Sequence, residues 1–307
     1  MSSAGRLGVR SLVLLLGIVA AVVLVVLVGA QADAGAKPDN GPNAGRGAIV
    51  AYWTPARMAD AVPRGKAQGN GKPVGGGSSG SYTRSAVSSP TSYPNRTNGK
   101  VFMTMGSTNY QCSGTAVQSA NESLVWTAGH CVYDAATGGY AHNFMFVPAY
   151  DNGAAPFGRF TATTANLRTT GEYAATESFA YDAGAARVGT NANGQSLAQA
   201  AGEREISFTP VRDQAYTLFG YPVDRKTGNG KVMYQCSTRW ALDDSSLSPP
   251  PIGVQCNWPA GSSGGAWIGA NGALSAVTSY GYRSLADYIF ASFQGASALA
   301  LYNDVQG

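Results

Sequence analysis

Gly261-Ser262-Ser263-Gly264-Gly265 sets a pair of serines among glycines, just ahead of Ala266-Trp267. A serine hydroxyl is a poor nucleophile at neutral pH. It needs an imidazole to take its proton, and the imidazole needs a carboxylate to fix its tautomer. The glycines allow a tight turn in which the amides of Gly261 and Ser263 point at one developing oxyanion. The chain holds only two histidines, His130 and His142. His130 lies in Thr127-Ala128-Gly129-His130-Cys131, directly after the strand-like Leu124-Val125-Trp126, whereas His142 sits alone in a turn, Tyr140-Ala141-His142-Asn143. Asp182 opens the apolar run that follows Tyr181. Its competitors, Asp134 and Asp151, lie in Gly- and Asn-flanked turns, and an orienting carboxylate needs a partly buried setting. Asp182 is therefore the candidate.

Chain order then separates the architectures. Residues 261–265 also fit G-x-S-x-G, the nucleophile elbow of α/β-hydrolases, but that fold runs Ser, Asp, His. No histidine follows Ser263, so that reading fails. A second match, Gly76-Gly77-Ser78-Ser79-Gly80, lies in low-complexity sequence with no strand before it or helix after it. The subtilisin order needs an Asp ahead of the His, and Asp33, Asp39 and Asp60 all fall in an N-terminal leader. His130, Asp182, Ser263 remains, the third of the known orders.

Outward from these residues the texture is β. Charged residues make up 12% of the 307 while Gly (40) and Tyr (16) are abundant, which argues against helical bundles and coiled coils. Val101–Met105, Thr115–Val117, Ser123–Trp126, Phe144–Val147, Tyr216–Phe219 and Val232–Tyr234 read as short strands between turn residues. A weak helical period covers Ser292–Tyr302. Residues 100–307 carry eleven Lys and Arg against fourteen Asp and Glu, so the basic excess lies outside the domain and a nucleic-acid partner is not expected.

Arg6 and Arg10 precede an uncharged run, Ser11–Ala30, and Ala30-Gln31-Ala32 offers a cleavage site, so residues 1–32 read as an export signal. The run is also long enough to remain as a membrane anchor. Either way the rest is exported, secreted or tethered outside the cell. Residues 33–97, rich in Gly, Ser, Pro and Asn with eight Lys and Arg against three Asp, read as a prosegment and flexible linker. Within it Ala48–Met58 holds apolar anchors able to dock on the domain or to form a short helix after Pro55. The composition break puts the mature terminus between about Ser85 and Lys100. Cys112, Cys131, Cys236 and Cys256 in an oxidising compartment imply disulfides, expected as Cys112–Cys131 and Cys236–Cys256. A zinc site from Cys112, His130, Cys131 and His142 matches no usual ligand spacing.

Thr127-Ala128-Gly129-His130-Cys131 resembles the catalytic-histidine motif of trypsin-like serine peptidases, and Gly261–Gly265 resembles their Gly-Asp-Ser-Gly-Gly, with Ser262 in place of the Asp. Residues 98–307 are most similar to the small secreted trypsin-like and glutamyl-endopeptidase-like enzymes of Gram-positive bacteria, actinomycetes in particular. The resemblance implies an all-β fold of two six-stranded antiparallel barrels, here with a short C-terminal helix. It places His130 and Asp182 on the first barrel and Ser263 on the second. It also implies a serine endopeptidase with a peptide or protein substrate, no metal or organic cofactor, and a monomeric state. The rival is a catalytically silent, protease-fold binding module. Two departures matter. Ser262 carries no charge, so it cannot pair with a newly freed α-amino group as the family's Asp does. The position six before the nucleophile, where trypsin has its pocket Asp, is Asn257, and the pocket histidine of glutamyl endopeptidases has no counterpart. Thr278, Ser279, Tyr280 and Gly281 fall where the substrate-binding strand is expected, giving a pocket of neutral polar and aromatic character.

Overall fold

Short apolar runs broken by Gly, Asn and Pro cannot sustain helices, and in the computed structural model, which describes residues 43–68 and 81–307, they build two β-barrels. The expected export signal and the glycine-rich stretch at 75–81 fall wholly or mostly outside the described residues. The first barrel uses β4 (Asn98–Met105), β5 (Thr108–Val117), β6 (Leu124–Thr127), β9 (His142–Pro148), β10 (Phe160–Ala162), β11 (Leu167–Thr169) and β12 (Gly184–Arg187). Its order is β10-β9-β4-β5-β6-β12-β11. β10 and β11 are the ends of one run interrupted at Thr164–Asn166, and they pair with β9 and β12 respectively. That run therefore touches both ends of the sheet and nearly closes it. A hairpin of β7 (Tyr133–Asp134) and β8 (Gly139–Tyr140) stands apart.

The second barrel contains β13 (Ala215–Gly220), β14 (Tyr234–Asp243), β15 (Ile252–Gln255), β16 (Ala266–Ile268), β17 (Leu274–Tyr282) and β18 (Tyr288–Ala291). The order β13-β16-β17-β18-β15-β14 closes on itself through β13–β14 pairing, with Leu218 opposite Cys236. Phe102, Trp126, Phe144, Phe146 and Phe160 fill the first barrel and Tyr216, Leu218, Val254 and Trp267 the second, all buried. Each such side chain removed from water stabilises the fold by roughly 1.5–3 kcal/mol. Helices are short: α3 (Gly171–Thr176), α4 (Leu197–Ala201) and the closing α5 (Ala296–Val305), which buries Ala298, Leu301 and Val305. Among the described residues no helix is long and apolar enough to cross a membrane.

The N-terminal stretch departs from its composition. α1 (Arg46–Tyr52) and α2 (Pro55–Asp60) bury Ile49, Trp53 and Met58 in the first barrel's core, and Thr54 caps α2 through its hydroxyl. β1 (Val62–Pro63) and β2 (Lys66–Gln68) then pair with β5 and β17. Further on, β3 (Thr83–Ala86) pairs antiparallel with β14, and Val87 and Thr97 are buried. Pairing with the second barrel thus begins at Thr83, upstream of residue 98. Polar side chains hid this strand, because its stability comes from backbone pairing with an edge that lies far away in sequence. The run Val232–Tyr234 is likewise displaced: β14 starts only at Tyr234 and continues through polar Ser237, Thr238 and Arg239.

Candidate active site

β6 ends at Thr127, and the chain turns through a single 3-10 turn, Gly129–Cys131, that holds His130 in the interior. Cys131 is bonded to Cys112 of β5, which ties this turn to the neighbouring strand. Across the sheet, Asp182 immediately precedes Ala183 and β12, which pairs with β6. Asp182 is fully buried and accepts three hydrogen bonds: from the His130 amide (2.8 Å), His130 Nδ1 (2.7 Å) and Ser279 Oγ (2.5 Å). Burial pushes its carboxyl up, but the His130 imidazole and the bonds from His130 and Ser279 together outweigh that and hold it below the usual carboxylate range. With Nδ1 held by Asp182, the ring keeps Nε2 as its basic position, buried and without a hydrogen-bond partner among the described residues.

Ser263 comes from the loop between β15 and β16. The Ser113 amide of β5 donates to its carbonyl (2.8 Å), and the Gly264 amide donates to the Thr278 carbonyl, pinning the loop to β17 (2.8 Å). Gly264, at φ 76°, has no room for a side chain: a Cβ there would meet Thr127 Oγ1 at 2.0 Å and Ser113 O at 2.5 Å. This close approach sets the Ser263 loop directly against the residues that lead into His130. Gly261 adopts φ 92°, and its amide donates to the carbonyl of Arg64 at 3.3 Å. Ser262 is buried, and its hydroxyl donates to Pro259 O at 2.5 Å, so this position is satisfied locally without a charged partner.

Beside Ser263 opens a cavity of about 260 Å³ lined by Trp258, Thr278, Tyr280, Tyr282, Leu285 and Ile289 among others. Ser279 and Gly281 line it too, so four of the five pocket positions named from sequence lie together. Asn257 does not line it; its carbonyl instead accepts from Arg84 (2.6 Å). Asp244, which the sequence reading did not single out, accepts from Tyr280 (2.6 Å), Tyr282 (2.5 Å) and Ser246 (2.5 Å) behind the wall. Ser279 has a second role: its hydroxyl reaches Asp182 rather than only the pocket. The second disulfide, Cys236–Cys256, clamps β14 to the segment leading into the Ser263 loop. Cys112, His130 and Cys131 lie within 4.8 Å of one another, but both sulfurs are in the disulfide and Nδ1 faces Asp182, so this group has no thiolates for zinc. His142 is exposed at the start of β9, and Asp134 pairs with Arg64 (3.5 Å).

Structural comparison finds the protease Anisep from Arthrobacter nicotinovorans, 34% identical with a TM-score of 0.61, over 76% of this chain and 99% of that one. A thermostable serine protease, AL20, from an extremophilic microorganism matches at 34% identity and TM-score 0.61, over 69% of this chain and 97% of that one. A Glu endopeptidase shares the fold at 21% identity and TM-score 0.57, over 72% of this chain and 94% of that one. No protein-family profile and no curated sequence matches the chain.

Proposed function

From its membership of the chymotrypsin-fold, trypsin-like serine peptidases, to which this chain belongs, we propose that it is an exported serine endopeptidase acting through His130, Asp182 and Ser263. The observation that carries this reading is the buried imidazole held by Asp182 at 2.7 Å, its other nitrogen unpartnered among the described residues, with a serine loop close by whose Gly261 amide already donates to a carbonyl. His130 Nε2 takes the Ser263 proton as Oγ attacks the substrate carbonyl carbon. The amides of Gly261 and Ser263 receive the oxyanion. His130 then protonates the leaving amine, the C–N bond breaks, and an acyl-enzyme forms. Water, deprotonated by the same imidazole, releases the acid and restores Ser263. Asp182 fixes the tautomer and stabilises the imidazolium.

Among the described residues, the cavity beside Ser263 has aromatic and aliphatic walls and no acidic lining residue, and the charged Arg283 in its lining is exposed. At ~30 Å³ per water it has room for roughly eight or nine waters, or one large side chain. A large uncharged residue on the acyl side of the scissile bond is the substrate this wall suits. The two disulfides fit an oxidising, extracellular location. The protein would be made as a precursor, with the activating cut in the Gly- and Ser-rich stretch 69–82, ahead of β3. Ser262 cannot pair with a new α-amino group, so activation would come from clearing the cleft. The test is peptide hydrolysis by the processed protein: Ser263→Ala and His130→Ala should each lower kcat/KM by several orders of magnitude. Near-normal turnover by Ser263→Ala would overturn the assignment.

A further inference from the structure

Residues 62–68 run through the cleft, and the direction in which they run is informative. β1 pairs parallel with β5, Val62 opposite Tyr110 and Pro63 opposite Gln111, moving towards the centre. β2 pairs parallel with β17, Lys66 opposite Tyr280 and Gln68 opposite Tyr282, moving away from it. Between them Arg64 places its carbonyl on the Gly261 amide. A Cβ on Gly65 would stand 2.7 Å from Ala260 Cβ and 3.9 Å from Ser263 Oγ, so this glycine covers the nucleophile. The Arg64 side chain is held as well: Nε donates to His130 O (2.7 Å), a terminal nitrogen meets Asp134 (3.5 Å), and the guanidinium lies over Tyr110 (4.7 Å).

The chemistry of acyl transfer fixes the direction of a productive substrate. The leaving amine must lie on the His130 side to receive its proton, and the acyl half must lie along the pocket and β17. A substrate therefore runs from β17 inward and then out along β5, antiparallel to both strands. Residues 62–68 run the opposite way at both ends. The nitrogen bonded to the Arg64 carbonyl belongs to Gly65, on the pocket side, where His130 has no leaving amine to protonate. The reversal follows from the docking. Trp53 is buried against Phe102 (5.4 Å) and donates to Asn143 O (2.6 Å), Tyr52 reaches Asn109 (2.8 Å), and Gln111 donates to Ala61 O. A segment anchored on the first barrel enters the cleft from the leaving-group side.

We propose that the cleft and the adjoining face of the first barrel form a binding site for residues 43–68 as an inhibitor bound against the direction of a substrate, and therefore not cut. The inference rests on the reading of His130, Asp182 and Ser263 as the reactive set. It requires the activating cut to fall outside 62–68, and it makes the released segment an inhibitor in trans.

The test uses a fluorescent synthetic peptide of residues 43–68 with the processed wild-type protein and with the Ser263→Ala chain cut in trans by the wild type. Anisotropy should report binding to both forms. In the wild type the peptide should inhibit competitively and be recovered whole by mass spectrometry after prolonged incubation. Peptides carrying Gly65→Ala or Arg64→Ala, and a peptide ending at residue 61, should each bind at least tenfold more weakly. Cleavage within residues 62–68, equal binding by the 43–61 peptide, or no binding to the Ser263→Ala form would each overturn the proposal. Binding to Ser263→Ala with loss on truncation, beside a wild type that hydrolyses no peptide, would sustain this site while refuting the peptidase reading.

Discussion

Ser279→Ala isolates the contribution of a group that touches neither nucleophile nor substrate carbonyl. Its hydroxyl donates to Asp182 Oδ2 at 2.5 Å, one of three hydrogen bonds to a fully buried carboxylate. A hydrogen bond to a charged group contributes about 1.5–3 kcal/mol net. If all of it is felt when His130 becomes an imidazolium, kcat/KM falls roughly 10- to 150-fold, at about 1.4 kcal/mol per factor of ten. The loss should lie in kcat, because the hydroxyl is spent on Asp182 rather than on a bound side chain. A second readout follows from linkage. Asp182 titrates below its ordinary value in the folded state, so it contributes stability above the unfolded carboxylate range, and that stability is lost as pH falls through the folded pKa. Without Ser279 the folded value moves up towards the unfolded one, so Asp182 contributes less stability and its acid loss should be complete at higher pH. The assay is steady-state hydrolysis of a chromogenic peptide by the processed enzyme, with acid unfolding followed by circular dichroism. An unchanged kcat, or a change confined to KM, would refute the positioning role.

Three further outcomes are expected. Cys236→Ser with Cys256→Ser opens a loop with a sequence separation of 20 and should cost about 3 kcal/mol in chemical denaturation; no loss would mean the clamp does not restrain the unfolded chain. Lys100 is buried, donates to Gly230 O at 2.7 Å, and is lowered by burial from 10.5 to about 7. Its folded form therefore sheds a proton that the unfolded chain keeps between those values. Wild-type stability should rise with pH relative to Lys100→Met, by up to about 1.4 kcal/mol per pH unit; a flat difference between pH 7 and 10 would contradict the burial argument. A peptide panel varied at the residue before the scissile bond should favour Phe, Tyr or Leu over Lys and Glu by at least tenfold in kcat/KM, and a preference for either charged residue would refute the neutral-pocket reading.

What the sequence disclosed was mostly local. His130, Ser263 and the strand-like runs around Phe102, Trp126 and Phe146 are marked by immediate neighbours, whose spacing and turn residues carry the information. Ser279 is different. It is legible as a pocket position in Thr278-Ser279-Tyr280, but its bond to Asp182 joins residues 97 apart and leaves no local mark. Counting along the chain puts Asn257 in the pocket, but that count assumes a spacing to Ser263 that Cys256 does not keep, and the Asn257 carbonyl accepts from Arg84 instead. The leader shows the same limit on a larger scale. The apolar anchors of Ala48–Met58 are legible in the sequence, but where they dock is not, because the complementary surface belongs to the first barrel. Composition measures what a segment can bury alone, and β1, β2 and β3 are stabilised by pairing with strands far away in sequence.

The central claim is that Ser263 is the nucleophile activated by His130. Fluorophosphonate labelling of the processed protein, followed by peptide mass spectrometry, tests it most directly. The account predicts one adduct, on Ser263, abolished by His130→Ala and prevented by saturating 43–68 peptide. An adduct on another serine, or a processed, folded protein that takes no label, would contradict it.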